Sequence, residues 1–72
     1  MKKLVFQQHK GDMRGDLYEI DNTYYYKIYY LVNGRYKLIG QSYANLYDKN
    51  LCLERMKNDM EIIDVAKAKR LK

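Results

Sequence analysis

The sequence predicts an α+β domain in which a small antiparallel sheet of three strands is covered on one face by a C-terminal helix. An Asn-Gly turn between two aromatic and β-branched runs is typical of a β-hairpin, and apolar residues at spacings of three and four near the end of the chain are typical of an amphipathic helix. The 72 residues have room for one domain, residues 1–72. A core this small is thin, so we expect a partner chain to add to it.

The first part of the chain predicts one strand and a loop. Residues 4–9 begin apolar and end polar, which indicates a short strand with Leu4 and Phe6 on one side. Two Gly-Asp pairs then predict a turn or a mobile loop over residues 10–16, because Gly permits positive φ and Asp caps turns. Residues 17–20 are a candidate short strand that leads through a second turn into the hairpin.

The hairpin spans residues 23–43 and is the central element of the prediction. Its turn is Asn33-Gly34, since these residues tolerate the two positive φ angles of a type I′ turn. A two-residue loop sets a register in which Ile28 faces Ile39. Both resulting faces contain aromatic or aliphatic residues, so we expect each face to be covered by another part of the protein or by a partner. The first face contains Tyr25, Lys27, Tyr29, Leu31, Tyr36, Leu38, Gly40 and Ser42.

The second face of the hairpin is the candidate contact face. It contains Tyr24, Tyr26, Ile28, Tyr30, Val32, Arg35, Lys37, Ile39 and Tyr43. One helix covers only one face of a sheet, and the sequence does not show which. We expect a second copy of the chain to cover the other face, giving a homodimer. Because Tyr and Arg are enriched in protein interfaces and also suit phosphate contact and base stacking, protein contact is the preferred role and nucleic-acid binding the alternative.

The helix is expected to begin near Asp48, a residue type that caps helices well, and no Gly or Pro follows it. Its apolar stripe consists of Leu53, Met56, Met60 and Ile63, with Cys52 and Ala66 beside it. Residues 61–65 also suit a short strand, but the continuing stripe favours one long helix. The basic tail at residues 67–72 suits a helix C-terminus, where the helix dipole favours cations.

The chain offers little for catalysis or metal binding, and we expect no enzymatic activity, no cofactor and no metal. Cys52 and His9 are single residues of their types, which excludes an intramolecular disulfide and a tetrahedral zinc site made of them. Cys52 is predicted to be a core residue and His9 an exposed one. An acidic cluster (Asp12, Asp16, Glu19 and Asp21) lacks the ligand spacing of an EF-hand and is predicted to be a solvated edge.

Charge and hydropathy limit the partners. The net charge is +5, from 14 basic and 9 acidic residues, which permits an acidic protein or a nucleic acid as partner and requires neither. No apolar run approaches the length of a membrane span, and the basic N-terminus lacks the apolar core of a secretion signal. The sequence therefore predicts a cytoplasmic protein without membrane contact.

Three families share parts of this pattern. The residues that carry the first resemblance are Tyr26-Lys27-Ile28, Asn33-Gly34, Ser42, Tyr47, Asp48-Lys49 and Cys52. They resemble the YegP-like domains, small bacterial modules without known enzymatic activity that occur as tandem repeats or paired single units. The order of elements also resembles the arm-site DNA-binding domains of phage and transposon integrases, which lay a three-stranded sheet in the major groove. Size and element order resemble the Bacillus prophage family Yopt, homodimers with one helix and three strands. These resemblances imply a non-enzymatic module of a mobile element, with a host protein as a further candidate partner.

Overall fold

Four strands and one helix form the fold of the computed structural model, which describes residues 1–70, with side chains through residue 66. The elements are β1 (Lys3–Lys10), β2 (Met13–Ile20), β3 (Thr23–Val32), β4 (Arg35–Gln41) and α1 (Lys49–Arg70). The strands pair with their chain neighbours in one antiparallel sheet of order β1-β2-β3-β4. The α+β class is confirmed, whereas the prediction of three strands is wrong.

The additional strand length comes from the stretch predicted as a loop, residues 10–16. Only Gly11 and Asp12 form a turn there, with Gly11 at a φ of 60°. Lys10 is the last residue of β1, and residues 13–16 belong to β2. Gly15 does not turn the chain. It lies where α1 packs on the sheet, and a Cβ atom at this position would be 2.7 Å from the Sδ atom of Met60. Glycine inside a strand weakens the strand pattern, and the sequence therefore indicated a loop.

The first strand carries an irregularity that changes its predicted faces. The register skips Val5, so that Leu4 lies opposite Tyr18 and Phe6 lies opposite Leu17. Adjacent residues of β2 point to opposite faces of the sheet. The prediction that Leu4 and Phe6 share a side is therefore wrong, because a one-residue bulge moves one of them to the other face.

The hairpin between β3 and β4 follows the predicted turn and only part of the predicted register. Asn33 and Gly34 both have positive φ, and the four pairs next to the turn are those expected. Beyond them the register skips Ile39, so that Ile28 pairs with Gly40. This bulge places Gly40 on the helix side, where a Cβ atom would lie 3.3 Å from the helix. The predicted pair of Ile28 with Ile39 is wrong for this reason.

The helix begins where its cap predicts. The Oδ1 atom of Asp48 accepts hydrogen bonds from the backbone N–H groups of Asn50 (2.9 Å) and Leu51 (3.2 Å). The helix continues through residues 61–65, so the alternative of a short strand there is wrong. Of the predicted basic tail, the backbone of residues 67–70 is helical, and residues 71–72 lie outside the described residues.

The core lies between α1 and the two central strands. Its fully buried apolar residues are Met13, Leu17, Tyr26, Ile28, Cys52, Met56 and Met60. Leu53 and Ile63 of the predicted stripe are partly buried against this cluster, and Ala66 is exposed. The helix thus packs mainly on β2 and β3 and leaves the outer strands less covered.

Candidate binding surfaces

The two faces of the sheet differ in what covers them. The covered face packs against α1 and includes Phe6, Met13, Gly15, Leu17, Tyr26, Ile28 and Gly40. The alternation of side chains along paired strands places a second set on the opposite side of the sheet. This open face contains Gln7, Arg14, Asp16, Tyr18, Tyr25, Lys27, Tyr29, Tyr36 and Leu38. No element of the described chain packs on the open face, so it is the first candidate surface.

The nine residues of the predicted contact face differ in exposure, because the helix covers some of them and not others. Tyr26 and Ile28 are 4% and 0% exposed beneath α1 and belong to the core, so neither can line a contact surface in this fold. Tyr24 and Tyr30 are partly buried. The exposed members are Val32, Arg35, Lys37, Ile39 and Tyr43, all on β4 or near its ends. The sequence left open which face the helix covers, and α1 covers the face on which the central part of this set lies.

Exposed aliphatic side chains collect beside β4. Val32, Leu38 and Ile39 are exposed on the hairpin, and Ile62 and Val65 are exposed on the helix. We name Val32, Leu38, Ile39 and Ile62 the β4 flank. Val65 follows the buried Met56 by nine residues, two and a half turns of helix, and therefore points away from the sheet. Arg55 of α1 lines a cleft with Tyr43 just beyond β4. Ile62 follows Arg55 by seven residues and therefore lies on the same side of the helix, toward β4.

The two edge strands of the sheet differ in their apolar exposure. β4 has six exposed residues out of seven, and its outer backbone groups have no strand beside them in the described chain. On β1, Leu4 is exposed to a similar degree as Leu38 (48% and 50%), but Val5 and Phe6 are partly buried. Exposed apolar edges favour pairing with another strand. The β4 edge is therefore the second candidate surface.

Arg14 lies at the centre of the open face. Its guanidinium carbon is 4.6 Å from the ring centroid of Tyr29 and 4.3 Å from that of Tyr36. Its Nε atom lies 3.2 Å from Oδ1 of Asp16, an ion-pair contact without hydrogen-bond geometry. Cations over tyrosine rings at these distances are attracted by the ring quadrupole. The two rings and the carboxylate hold Arg14 in one position.

Asp16 anchors the polar groups of the open face. It is 3% exposed and accepts hydrogen bonds from Nε2 of Gln7 (2.9 Å) and from the hydroxyl of Tyr18 (3.1 Å). Burial raises the pKa of Tyr18 to about 12, and the hydrogen bond to the Asp16 carboxylate adds to this effect. A buried carboxylate with these partners fixes the side chains around it.

A second stack lies beside the first. The rings of Tyr18 and Tyr25 are stacked with centroids 5.2 Å apart and an angle of 25° between their planes. The Nζ atom of Lys2 lies 4.5 Å from the centroid of Tyr18. The open face therefore carries two groups in which tyrosine rings lie next to a cation.

The acidic residues are distributed unevenly over the molecule. Asp16 is the carboxylate of the open face, and it is buried. The others lie in turns (Asp12 and Asp21), on the covered side (Glu19), or on and just before α1 (Asp48, Glu54, Asp59, Glu61 and Asp64). The predicted acidic cluster is thus spread over two faces and both ends of β2. The open face presents Arg14 and Lys27 without an exposed carboxylate among the described residues.

Cys52 and His9 lie on different sides of the sheet. Cys52 is fully buried under the covered face, as predicted for a core residue, and burial raises the pKa of its thiol. His9 is exposed, as predicted, and pairs with Arg14 on the other side. Within residues 1–66, no three His, Cys, Asp or Glu side chains come close enough to hold a metal ion. Across the described chain, no helix combines the length and the apolar character needed to cross a membrane.

Tyr26 is a buried residue of the covered face whose polar hydroxyl group has a hydrogen-bond partner. Its ring is buried in the core, and its hydroxyl donates a hydrogen bond to the carboxylate of Asp59 on α1. Burial and this hydrogen bond raise the pKa of Tyr26 well above its ordinary value. The bond fixes the helix to β3 and leaves no free acid or base at this point.

Comparisons of the chain with models of protein families, with curated proteins and with solved structures find no match. The resemblances to the YegP-like domains, to the integrase arm-site domains and to Yopt stay predictions. The function must therefore be argued from the surfaces of the molecule itself.

Proposed function

We propose that the protein is a non-enzymatic binding module that acts as a homodimer and that two copies meet at their β4 edges. The observation that carries this proposal is the β4 flank, a set of exposed aliphatic side chains beside an edge strand. An edge strand offers backbone donors and acceptors, and the aliphatic residues on both of its sides supply apolar area.

The geometry of such a dimer follows from two-fold symmetry. Two β4 strands that pair antiparallel across a two-fold axis form one continuous sheet of eight strands, and both α1 helices lie on the same side of it. Ile62 of each helix then lies on the side of α1 that faces the joined strands. If the axis passes at Leu38, Lys37 lies opposite the partner's Ile39 and no two basic residues of β4 face each other.

The small core supports association. The fully buried residues are few, and a domain of this size gains little stability from its own core. The outer strands receive less cover from α1 than β2 and β3 do. Joining two β4 flanks would bury apolar side chains that one copy leaves exposed.

The test is the mass in solution, measured by light scattering on a size-exclusion column at tens of micromolar. We expect the wild-type chain to have the mass of two chains and Leu38→Lys the mass of one, because the substitution places a charge at the joined edge. Leu4→Lys is the matched control, since Leu4 is equally exposed but lies on the other edge strand. This variant should remain a dimer.

Two results would contradict the proposal. One is a wild-type mass of one chain. The other is equal behaviour of the two lysine variants, which would place the contact elsewhere. Circular dichroism of each variant establishes that the fold is kept, which we expect because both leucines are about half exposed.

A further inference from the structure

We infer that the open face is a platform for single-stranded nucleic acid, bound by base stacking on its tyrosines. The first observation is that tyrosine rings and cations lie side by side on this face. Arg14 lies between the rings of Tyr29 and Tyr36, and Tyr18 stacks with Tyr25. Proteins that bind single strands combine aromatic rings with basic groups, because every base has a π face that stacks on a ring and every nucleotide carries a phosphate.

The second observation is charge. The chain has a net charge of +5, and the open face presents Arg14 and Lys27 while its carboxylate, Asp16, is buried. The exposed acids lie in turns, on the covered side and on the helix. The open face is therefore complementary to an anionic partner, whereas the helix side is mixed in charge.

The shape of the face favours single strands over duplex DNA. Four strands at a spacing of about 4.8 Å place the outer strands roughly 14 Å apart. The major groove is about 12 Å wide and admits a helix or a two-stranded ribbon. A four-stranded face is too broad to enter it. A flexible single strand can instead lie across the strands and turn its bases toward the rings.

The face is also held rigid before any ligand arrives. Asp16 accepts hydrogen bonds from Gln7 and Tyr18 and contacts Arg14, so one buried carboxylate positions groups from three sides. Side chains that are already ordered lose little freedom on binding. The stacking groups are therefore preorganised by the fold.

A protein partner is less well supported on this face. Of the exposed aliphatic residues on the strands, Leu4 and Leu38 belong to the open face, and they lie apart on the two outer strands. The open face is complete within one chain, so the inference does not depend on the proposed dimer. If the dimer forms, both open faces lie on the same side of the joined sheet.

The experiment is fluorescence anisotropy with a labelled mixed-sequence 12-nucleotide DNA strand, the same sequence as RNA, and the DNA duplex, each from 50 to 200 mM salt. We expect single strands to bind at least about tenfold more tightly than the duplex, since stacking needs unpaired bases. Contacts from Lys2, Arg14 and Lys27 predict a slope of about −2 in a plot of log affinity against log salt.

Matched tyrosine variants test whether the rings carry the binding. Tyr36→Leu should lower the affinity for the single strand about tenfold, because one stacking ring is lost. Tyr43→Leu is the control: Tyr43 is fully exposed and lines the cleft with Arg55 on the helix side, so its loss should leave the affinity unchanged. Tyr29→Leu provides a second ring variant, on a different strand, in case Tyr36→Leu alters the β4 edge.

Three outcomes would overturn the inference. The first is the absence of binding at 50 mM salt. The second is equal affinity for strand and duplex with a steeper salt slope, which indicates nonspecific attraction by the net charge. The third is equal affinity of the Tyr36→Leu, Tyr29→Leu and Tyr43→Leu variants, which would move the contact away from the open face and leave that face available to a protein partner.

Discussion

The covered face and the open face belong to the same strands, but different groups pack on each of them. On the covered face, Gly15 lets α1 approach until a Cβ atom would touch the sulfur atoms of Met56 and Met60. On the open face, the neighbouring residues Arg14 and Asp16 join a layer of tyrosine rings and hydrogen bonds. The covered face is shielded from solvent by the helix. The open face is shielded only in part, by the packing of its own side chains.

This difference shows why a strand without a polar side does not require two covering layers. Tyrosine rings lie over the sheet, the hydroxyl of Tyr18 donates a hydrogen bond to Asp16, and cations beside the rings add attraction of about 0.5–1 kcal/mol each at exposed sites. The alternation rule for strands assumes that the solvent side is polar. A tyrosine-rich face combines apolar rings with polar hydroxyl groups. The sequence therefore does not show which side of the sheet carries the helix.

The largest expected effect is a difference in stability loss between a substitution on the covered face and one on the open face. Ile28 is fully buried under α1, and Ile28→Ala should lower the free energy of unfolding by about 2–5 kcal/mol because it leaves a cavity in the core. Leu31→Ala, on the same strand but on the open face, is the matched control and should cost about 1 kcal/mol, since Leu31 is only partly buried. Urea unfolding measures both values. Equal losses would mean that the open face is covered in solution as firmly as the other.

The features that the sequence predicted correctly depend on local chemistry. The turn at Asn33-Gly34 needs only two residues that tolerate positive φ, and the helix start needs only the carboxylate of Asp48. The features it missed depend on distant residues. Gly15 suggests a loop until Met60, 45 positions later in the numbering, is known to lie above it.

The burial of Tyr26 and Ile28, at the centre of the predicted contact face, could not be predicted for the same reason. The residues of this face were sorted correctly next to the turn, but the bulge at Ile39 and the position of α1 are set by packing across the sheet. The helix stripe does not show whether it will lie on Ile28 or on Tyr29, since neighbouring residues of β3 are apolar or aromatic on both sides. The open face could have been found by its paired tyrosines only after β2 was recognised as a strand.

The second expected effect is the loss of stability when a methyl group is added to a glycine on the covered face. Gly15→Ala should lower the free energy of unfolding by about 1–3 kcal/mol, because the added methyl group overlaps the sulfur atoms of Met60 and Met56. Gly40→Ala is the control on the same face. Its nearest neighbour would be the Cδ1 atom of Ile63 at 3.3 Å, so the smaller overlap should cost less. Thermal unfolding of both variants decides the order, and a larger loss for Gly40→Ala would contradict it.

The smallest expected effect compares two tyrosines whose raised pKa values have different main causes. Burial is the first cause for Tyr18 on the open face, whereas the hydrogen bond to Glu19 is the first cause for Tyr24 on the covered side. Asp16→Asn should therefore leave most of the shift of Tyr18, and Glu19→Gln should remove most of the shift of Tyr24. Titration of labelled tyrosine rings by NMR measures both pKa values.

The same titration predicts the dependence of stability on pH. The pKa of Tyr18 rises from about 10 in an unfolded chain to about 12 in the fold. Its neutral form is thus favoured by folding, so its contribution to stability is fully present below pH 10 and is lost as the pH rises toward 12. Unfolding by urea at pH 9 and pH 11 should show a decrease for the wild-type chain and a smaller one for Asp16→Asn. An equal decrease in both would mean that burial alone sets the pKa of Tyr18 and that the carboxylate of Asp16 serves the open face by positioning Arg14.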